Sequence, residues 1–85
     1  MVIVWDERKR AANFAKLGLD FASLSDSFFA EAVIGSAHSR RVVAVGRLPS
    51  GKTVTVIFVR LGLEGLSVLS LRPASGKERK RLDAS

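Results

Sequence analysis

The stretch RVVAVGRLPSGKTVTVIFVRLGLEGLSVLSLR, residues 41–72, decides the fold of this chain. Apolar and β-branched residues dominate "RVVAVGRL" and "KTVTVIFVR", and the turn "PSG" between them predicts a hairpin. A second turn, "LGLEG", leads into a further strand, "LSVLSLR", which ends at Pro73. This part of the sequence therefore predicts a meander of antiparallel strands.

The pairing of the last two strands determines which of their side chains share a face. We expect these strands to pair across "LGLEG", because consecutive strands joined by a short turn usually form a hairpin. In that register two arginines lie on one face together with side chains of both strands, namely Arg60, Arg72, Phe58, Val68 and Ser70.

The segments around the meander predict helices and two short strands. Residues 2–5 form a first strand, Asp6 is the N-cap of a helix, and Gly18 is its C-cap. In this helix an apolar stripe follows helical spacing and leaves three polar residues on the outside. The stripe contains Ala11, Phe14, Ala15 and Gly18, and the outer face contains Lys9, Asn13 and Lys16.

A second helix, "DFASLSDSFFAEA", is predicted to bury Phe21, Leu24, Phe28 and Phe29. The strand "AVIG" and the polar loop "SAHSR" follow, and "SGKERKRLDAS" forms a last helix in which Ser75 and Glu78 have capping-box spacing. The prediction is one α+β domain over residues 1–85, with the order β-α-α-β-β-β-β-α and helices on one face of an antiparallel sheet.

Charge is the most informative feature of the composition. The 85 residues carry 14 Lys and Arg against 8 Asp and Glu, a net charge of +6, which favours a polyanionic partner such as nucleic acid. The chain has no cysteine and one histidine, so we expect no metal site and no cofactor. The start "MVIVWDE" lacks the order of a signal peptide, and no apolar run would span a membrane. We therefore expect a cytoplasmic protein.

No strong catalytic motif is present. "LPSGKT" at residues 48–53 lacks the first glycine of a P-loop and joins two strands, so we interpret it as a hairpin turn. RNA cleavage needs a base for the 2′-hydroxyl, cations for the phosphate and an acid for the leaving oxygen. Arg72 and Glu78 are candidates, because the short link "PASG" joins their elements. The alternatives are a solvated strand end for Arg72 and a purely capping role for Glu78.

Three segments resemble one protein family. "VWDERKRAANFAKLG", "HSRRVVAVGRL" and "LSVLSLRPASGKERKRL" are similar to the conserved segments of the BrnT toxins, the ribonuclease halves of bacterial type II toxin–antitoxin pairs. The resemblance spans nearly the whole chain. It departs from the family pattern at Leu17, where a histidine is common, and at Leu82, where a tyrosine is frequent.

The resemblance implies a fold like that of the RelE ribonucleases and metal-independent cleavage of RNA. It also implies a cognate antitoxin, usually a ribbon-helix-helix protein similar to BrnA, that binds operator DNA and forms a heterotetramer with the toxin. Two sets of site residues follow. The catalytic set is Arg72, Glu78, Lys9 and His38, and the RNA-binding set is Lys16, Asn13, Arg41, Arg60 and Arg79.

Three interpretations of function remain open from the sequence. The first is an endoribonuclease toxin that inhibits growth. The second is a catalytically weakened toxin-fold protein that binds its antitoxin and acts as a corepressor, which the absence of the His and Tyr equivalents would explain. The third is an unrelated basic module that binds RNA or DNA.

Overall fold

The computed structural model describes residues 1–85 and contains five strands and three α-helices. The elements in chain order are β1 (Val2–Trp5), α1 (Glu7–Leu17), a 3-10 turn (Phe21–Ser23), α2 (Asp26–Glu31), β2 (Val33–Ser36), β3 (Arg41–Arg47), β4 (Thr53–Leu61), β5 (Gly65–Pro73) and α3 (Gly76–Ala84). One sheet has the strand order β1-β5-β4-β3-β2. The α+β prediction is confirmed. The sheet is mixed rather than antiparallel throughout, because β1 pairs with β5 in parallel.

Local capping chemistry accounts for where the helices begin and end. The side chain of Asp6 accepts hydrogen bonds from the backbone N–H groups of Arg8 and Lys9, and Gly18 ends α1 in the left-handed conformation (φ 69°). The predicted second helix is interrupted, because the Ser25 side chain accepts from the N–H of Phe28 and starts α2 afresh. The helices are too short and too polar to qualify as membrane spans.

The two faces of the sheet are covered by different helices. The core face, which carries Val54, Val56 and Phe58, packs against the 3-10 turn and α2, where Phe21 and Phe28 are buried. The opposite face carries Thr55, Ile57 and Val59, and α3 lies over part of it; we call it the α3 face. The prediction that all helices share one face therefore fails for α3. Glu78, which belongs to the capping box of α3, binds the side chain of Arg72 in β5, and that side chain lies on the α3 face.

A β-bulge in β5 changes which arginines share a face. Phe58 pairs with Val68, but the preceding residue of β4, Ile57, pairs with Ser70, so Leu69 is an extra residue in β5. A one-residue insertion sends every later side chain to the other face. The expected common face is therefore wrong: Arg60 lies on the core face with Phe58 and Val68, whereas Arg72, opposite Thr55, lies on the α3 face with Ser70.

Helix α1 also presents a different side to the sheet from the one its apolar stripe predicts. It contains no buried residue, and the Phe14 side chain of the stripe is 54% exposed. Instead Asn13, expected on the outside, bonds the backbone of β5 at Leu71. The alanines and glycine of the stripe leave little apolar area to bury. The three hydrogen bonds of the Asn13 side-chain amide therefore decide which side of α1 faces β5.

Candidate functional site

Arg72 and Glu78 form a paired guanidinium and carboxylate at the end of β5. Arg72 Nη1 donates to Glu78 Oε1 over 2.8 Å, and Nη2 donates to Oε2 over 2.9 Å. The Glu78 side chain is 18% exposed and that of Arg72 is 41% exposed. The carboxylate is therefore sheltered, while the guanidinium keeps an open side from which a phosphate can approach.

Both predicted roles of Glu78 occur in the same geometry. Its Oε1 atom also accepts from the backbone N–H of Ser75 over 2.8 Å, and the Ser75 hydroxyl accepts from the N–H of Glu78. The short link between β5 and α3 thus lets one side chain complete the capping box and hold Arg72. The capping role and the contact with Arg72 do not exclude each other.

The surroundings of Glu78 favour its charged form. The hydrogen bonds from Arg72 are the main cause that lowers its pKa from 4.5 to about 2, and the backbone bond from Ser75 adds to the effect. The Thr55 hydroxyl contributes in the same direction, although this fully buried oxygen has no partner at good hydrogen-bonding geometry. A carboxylate with so low a pKa is a weak general base near neutral pH. The two hydrogen bonds from Arg72, together with this low pKa, favour an orienting role for Glu78 while the pair is intact.

Asn13 uses its side-chain amide within the fold. Its Nδ2 donates to the carbonyl oxygens of Leu71 and Leu19 over 2.9 and 3.1 Å, and its Oδ1 accepts from the N–H of Leu71 over 3.1 Å. Both donor hydrogens are engaged, so no side-chain donor remains for a phosphate. Asn13 therefore links α1 to β5 and has no part in the proposed RNA interface.

The two lysines of α1 are exposed and form no ion pair. Lys9 lies in the first turn of the helix and Lys16 in the last, on either side of the position of Asn13 along the helix. The two lysines flank the side of α1 that contacts β5, and their ammonium groups are free to bind an anion. Nothing in the geometry links Lys9 to the Arg72–Glu78 pair.

Three other predicted site residues lie at the opposite end of the sheet. Arg41 pairs with Val59, four residues along β4 from Thr55, the partner of Arg72. The two arginines are thus separated by about 13 Å along the strands and about 10 Å across them. His38 belongs to the tight turn that precedes β3, in which the N–H of Arg41 donates to the carbonyl oxygen of His38. His38 is therefore too far away to share one phosphate with Arg72, and Arg60 lies on the other face.

Arg79 belongs to a cleft that the sequence did not predict. The cleft has a volume of about 370 Å³ and lies where β4 begins and β5 ends. Four segments of the chain line it: the end of α1 with the loop after it, the β3–β4 turn with the start of β4, the end of β5 with the link to α3, and α3. The lining residues are Leu17, Leu19, Gly51, Lys52, Thr53, Val54, Pro73, Ala74 and Arg79. Sequence inspection missed Lys52 because only the tertiary fold brings the hairpin turn beside α3.

Two further arginines are held in structural ion pairs. Arg10 donates to both carboxylate oxygens of Asp20 over 2.7 and 3.1 Å, which holds the pKa of Asp20 near 2. Arg47 donates to Asp83 of α3. Arg47 resembles Arg72 in lying on the α3 face near one end of the sheet and in pairing with a residue of α3. It therefore provides a matched control for Arg72.

Comparisons with known proteins agree with this architecture. The family model described as "Ribonuclease toxin, BrnT, of type II toxin-antitoxin system" matches residues 5–78. Among solved structures, the Brucella abortus ribonuclease toxin BrnT is similar with a TM-score of 0.83 and 45% sequence identity, covering 88% of this chain and 97% of that one. No curated protein matches. The match over most of the chain and the close structural similarity show that this protein belongs to the BrnT family of ribonuclease toxins of type II toxin–antitoxin systems.

Proposed function

We propose that this chain is an active endoribonuclease that cleaves RNA without a metal ion and is neutralised by a cognate antitoxin. The observation that carries the proposal is the Arg72–Glu78 pair, in which a sheltered carboxylate fixes a guanidinium whose other side is open. A fixed cation of this kind stabilises the charge that develops on a phosphate during cleavage.

In the proposed reaction the substrate supplies its own nucleophile. The 2′-oxygen of a ribose attacks the adjacent phosphorus, its proton passes to water, and the bond from phosphorus to the 5′-oxygen breaks. The departing 5′-oxygen takes a proton from water, so the products are a 2′,3′-cyclic phosphate and a 5′-hydroxyl. Arg72 donates to the phosphate oxygens in the transition state, and Glu78 orients Arg72.

The α3 face offers a path for the RNA strand. Arg41 and Arg72 both project from this face, and the half-buried Ile57 and Val59 lie between them. Offsets of about 13 Å along the strands and about 10 Å across them place the two arginines about 16 Å apart, so they would contact different phosphates of one strand. Arg41 thus supports a phosphate on the side of the scissile bond remote from α3, whereas Arg60 does not lie on this path.

Substrate chemistry provides the test of this proposal. Purified protein, freed of any antitoxin, is incubated in EDTA with an RNA oligonucleotide and with the same sequence carrying 2′-O-methyl groups. We expect cleavage of the first only, with cyclic phosphate ends. Cleavage of the methylated strand, or activity that requires an added divalent ion, would contradict the proposal. Absence of cleavage of either strand by folded protein would favour the weakened corepressor instead.

Neutralisation by an antitoxin is supported by an exposed apolar corner. Four large apolar side chains, Val2, Val4, Leu61 and Leu63, are 41–104% exposed at the end of the sheet where β1 and β5 begin. The N–H of Val2 donates to the carbonyl of Glu64 and joins β1 to the β4–β5 turn, so these side chains lie together. Exposed apolar patches of this kind mark interaction sites.

The charge beside the apolar corner indicates the kind of segment it binds. Arg41 pairs with Val59, which lies two residues before Leu61 and therefore on the same face of the sheet. We assign the corner to an antitoxin segment that carries apolar residues flanked by Asp or Glu. We further propose that the antitoxin is a ribbon-helix-helix protein, that the complex is a heterotetramer bound to operator DNA through the antitoxin, and that both act in the cytoplasm.

Co-expression with the protein encoded next to this chain tests the antitoxin part. The toxin alone should arrest bacterial growth, and the neighbouring protein should relieve the arrest and co-purify with it. Leu63→Ser should reduce co-purification, whereas Ile34→Ser, which removes an exposed apolar side chain from β2, should not. Equal retention of the partner by both variants would show that the corner is not its docking site.

A further inference from the structure

The cleft beside Arg79 has the composition of a site for one nucleotide. We propose that it binds a nucleobase with its adjoining phosphate, next to the bond that is cleaved, and that it sets the base preference of the enzyme. The inference extends the proposed function, since the cleft would hold part of the same RNA strand. Its volume of about 370 Å³ falls in the usual range of small-ligand sites.

The position of the cleft connects it to Arg72. Pro73 and Ala74, which line the cleft, directly follow Arg72, and Arg79 directly follows Glu78. The N–H of Ala74 donates to the carbonyl oxygen of Thr53 over 3.1 Å, which fixes this wall to the start of β4. A nucleotide in the cleft would therefore contact residues that directly follow Arg72, the arginine that we assign to the scissile phosphate.

The cleft combines an apolar wall with two unpaired cations. Leu17 and Pro73 are exposed and offer surfaces for the face of a base. Lys52 and Arg79 are exposed and belong to no ion pair, in contrast to Arg47 and Arg72. The two cations fit the charge of a phosphate, and a guanidinium plane can in addition stack on a base.

Leu17 gives the cleft a property that bears on specificity. Its side chain is 39% exposed, and it lines the cleft at the end of α1. An apolar wall discriminates bases by size and stacking rather than by hydrogen bonds. We therefore expect a preference between purines and pyrimidines rather than recognition of one base alone.

Nuclear magnetic resonance with mononucleotides tests the site without requiring catalysis. The 15N-labelled protein is titrated with 3′-AMP, with 3′-UMP and with inorganic phosphate. We expect the nucleotides to shift the amide signals of Gly51, Lys52, Thr53 and Ala74, and one nucleotide to bind more tightly than the other. Shifts confined to the turn around His38, or equal shifts with inorganic phosphate, would overturn the proposal.

Variants of the lining separate this site from general charge. Lys52→Ala combined with Arg79→Ala should weaken nucleotide binding by roughly tenfold or more, because two charge-assisted contacts are lost. Lys80→Ala removes an exposed cation of the same helix outside the cleft and should leave binding unchanged. Equal weakening by Lys80→Ala and by the double variant would overturn the assignment.

The cleavage pattern distinguishes failure of this inference from failure of the proposed function. Leu17→Trp fills the cleft at a partly exposed position and should shift the preferred cleavage sites in a long RNA. If the wild-type protein cleaves RNA and this variant keeps the same sites and the same nucleotide affinity, the inference is wrong. If mononucleotides bind in the cleft although no RNA is cleaved, the nucleotide site is supported, whereas the ribonuclease proposal and the role of the site in cleavage preference fail.

Discussion

Arg72 Nη1 and Nη2 lie 2.8 and 2.9 Å from the two carboxylate oxygens of Glu78, and this contact joins the end of β5 to the first turn of α3. The bulge at Leu69 is what makes the contact possible, because it sends Arg72 to the face over which α3 lies. A structural irregularity in the strand, the capping box and the candidate catalytic arginine are therefore parts of one arrangement.

The pair should make the stability of the protein depend on pH in the acid range. Because the folded-state pKa of Glu78 is lowered from 4.5 to about 2, the carboxylate contributes its full stabilisation above pH 4.5 and loses it as the pH falls towards 2. We expect the free energy of unfolding of Glu78→Gln to depend less on pH over this range than that of the wild type. Urea unfolding at several pH values measures the difference, and parallel curves would contradict the assigned pKa.

The same substitution tests the orienting role of Glu78 in catalysis. Glutamine can still complete the capping box but cannot form the two-bond ion pair, so the protein should stay folded while Arg72 is held less firmly. We expect kcat to fall by roughly tenfold with no change in the shape of the pH–rate profile above pH 5. Loss of one limb of the profile would instead identify Glu78 as the general base. Unchanged kcat would leave it only a helix cap.

Asn13 should affect stability and not RNA binding. Asn13→Leu removes three hydrogen bonds and leaves the backbone groups of Leu71 without their partner, which should lower the free energy of unfolding by about 2 kcal/mol. Lys16→Ala, an exposed change in the same helix, should alter it by less than about 0.5 kcal/mol. Similar effects of the two substitutions would remove the structural role assigned to Asn13.

The two faces of the sheet should differ in their response to salt. If Arg41 contacts a phosphate on the α3 face, Arg41→Ala should reduce the slope of log affinity for RNA against log salt by about one unit or less. Arg60→Ala removes the same charge from the core face and should leave the slope unchanged. Affinities of an uncleavable 2′-O-methyl RNA at several salt concentrations provide the measurement. A larger change in the slope for Arg60→Ala than for Arg41→Ala would show that the RNA does not bind on the α3 face.

Features that depend on neighbouring residues were predictable from the sequence. The caps at Asp6 and Gly18, the capping box of α3 and the strands of the meander follow from local chemistry, and the structure confirms them. The position of Arg72 next to Glu78 was also predictable, because the two-residue link between β5 and α3 leaves little freedom between them.

Features that depend on distant contacts were not predictable in this way. Nothing in "LSVLSLR" distinguishes Leu69 as the extra residue of a bulge. The prediction that Arg72 shares a face with Arg60 and Phe58 was therefore wrong. The helical spacing aligned Lys9, Asn13 and Lys16 correctly, but only the contact with β5 determines which side of α1 faces inward. The cleft formed by residues from four segments was missed for the same reason.

The most direct test of the account measures single-turnover cleavage of RNA in EDTA by Arg72→Ala and Arg47→Ala. Each variant lacks one arginine of the α3 face that pairs with α3, and melting temperatures establish that both are folded. We expect Arg72→Ala to lower the rate by about 100-fold or more, as removal of a transition-state donor does, and Arg47→Ala to retain nearly full activity. Cleavage by folded Arg72→Ala at the wild-type rate, or an equal loss of rate in both variants, would contradict the assignment of Arg72 as the catalytic cation.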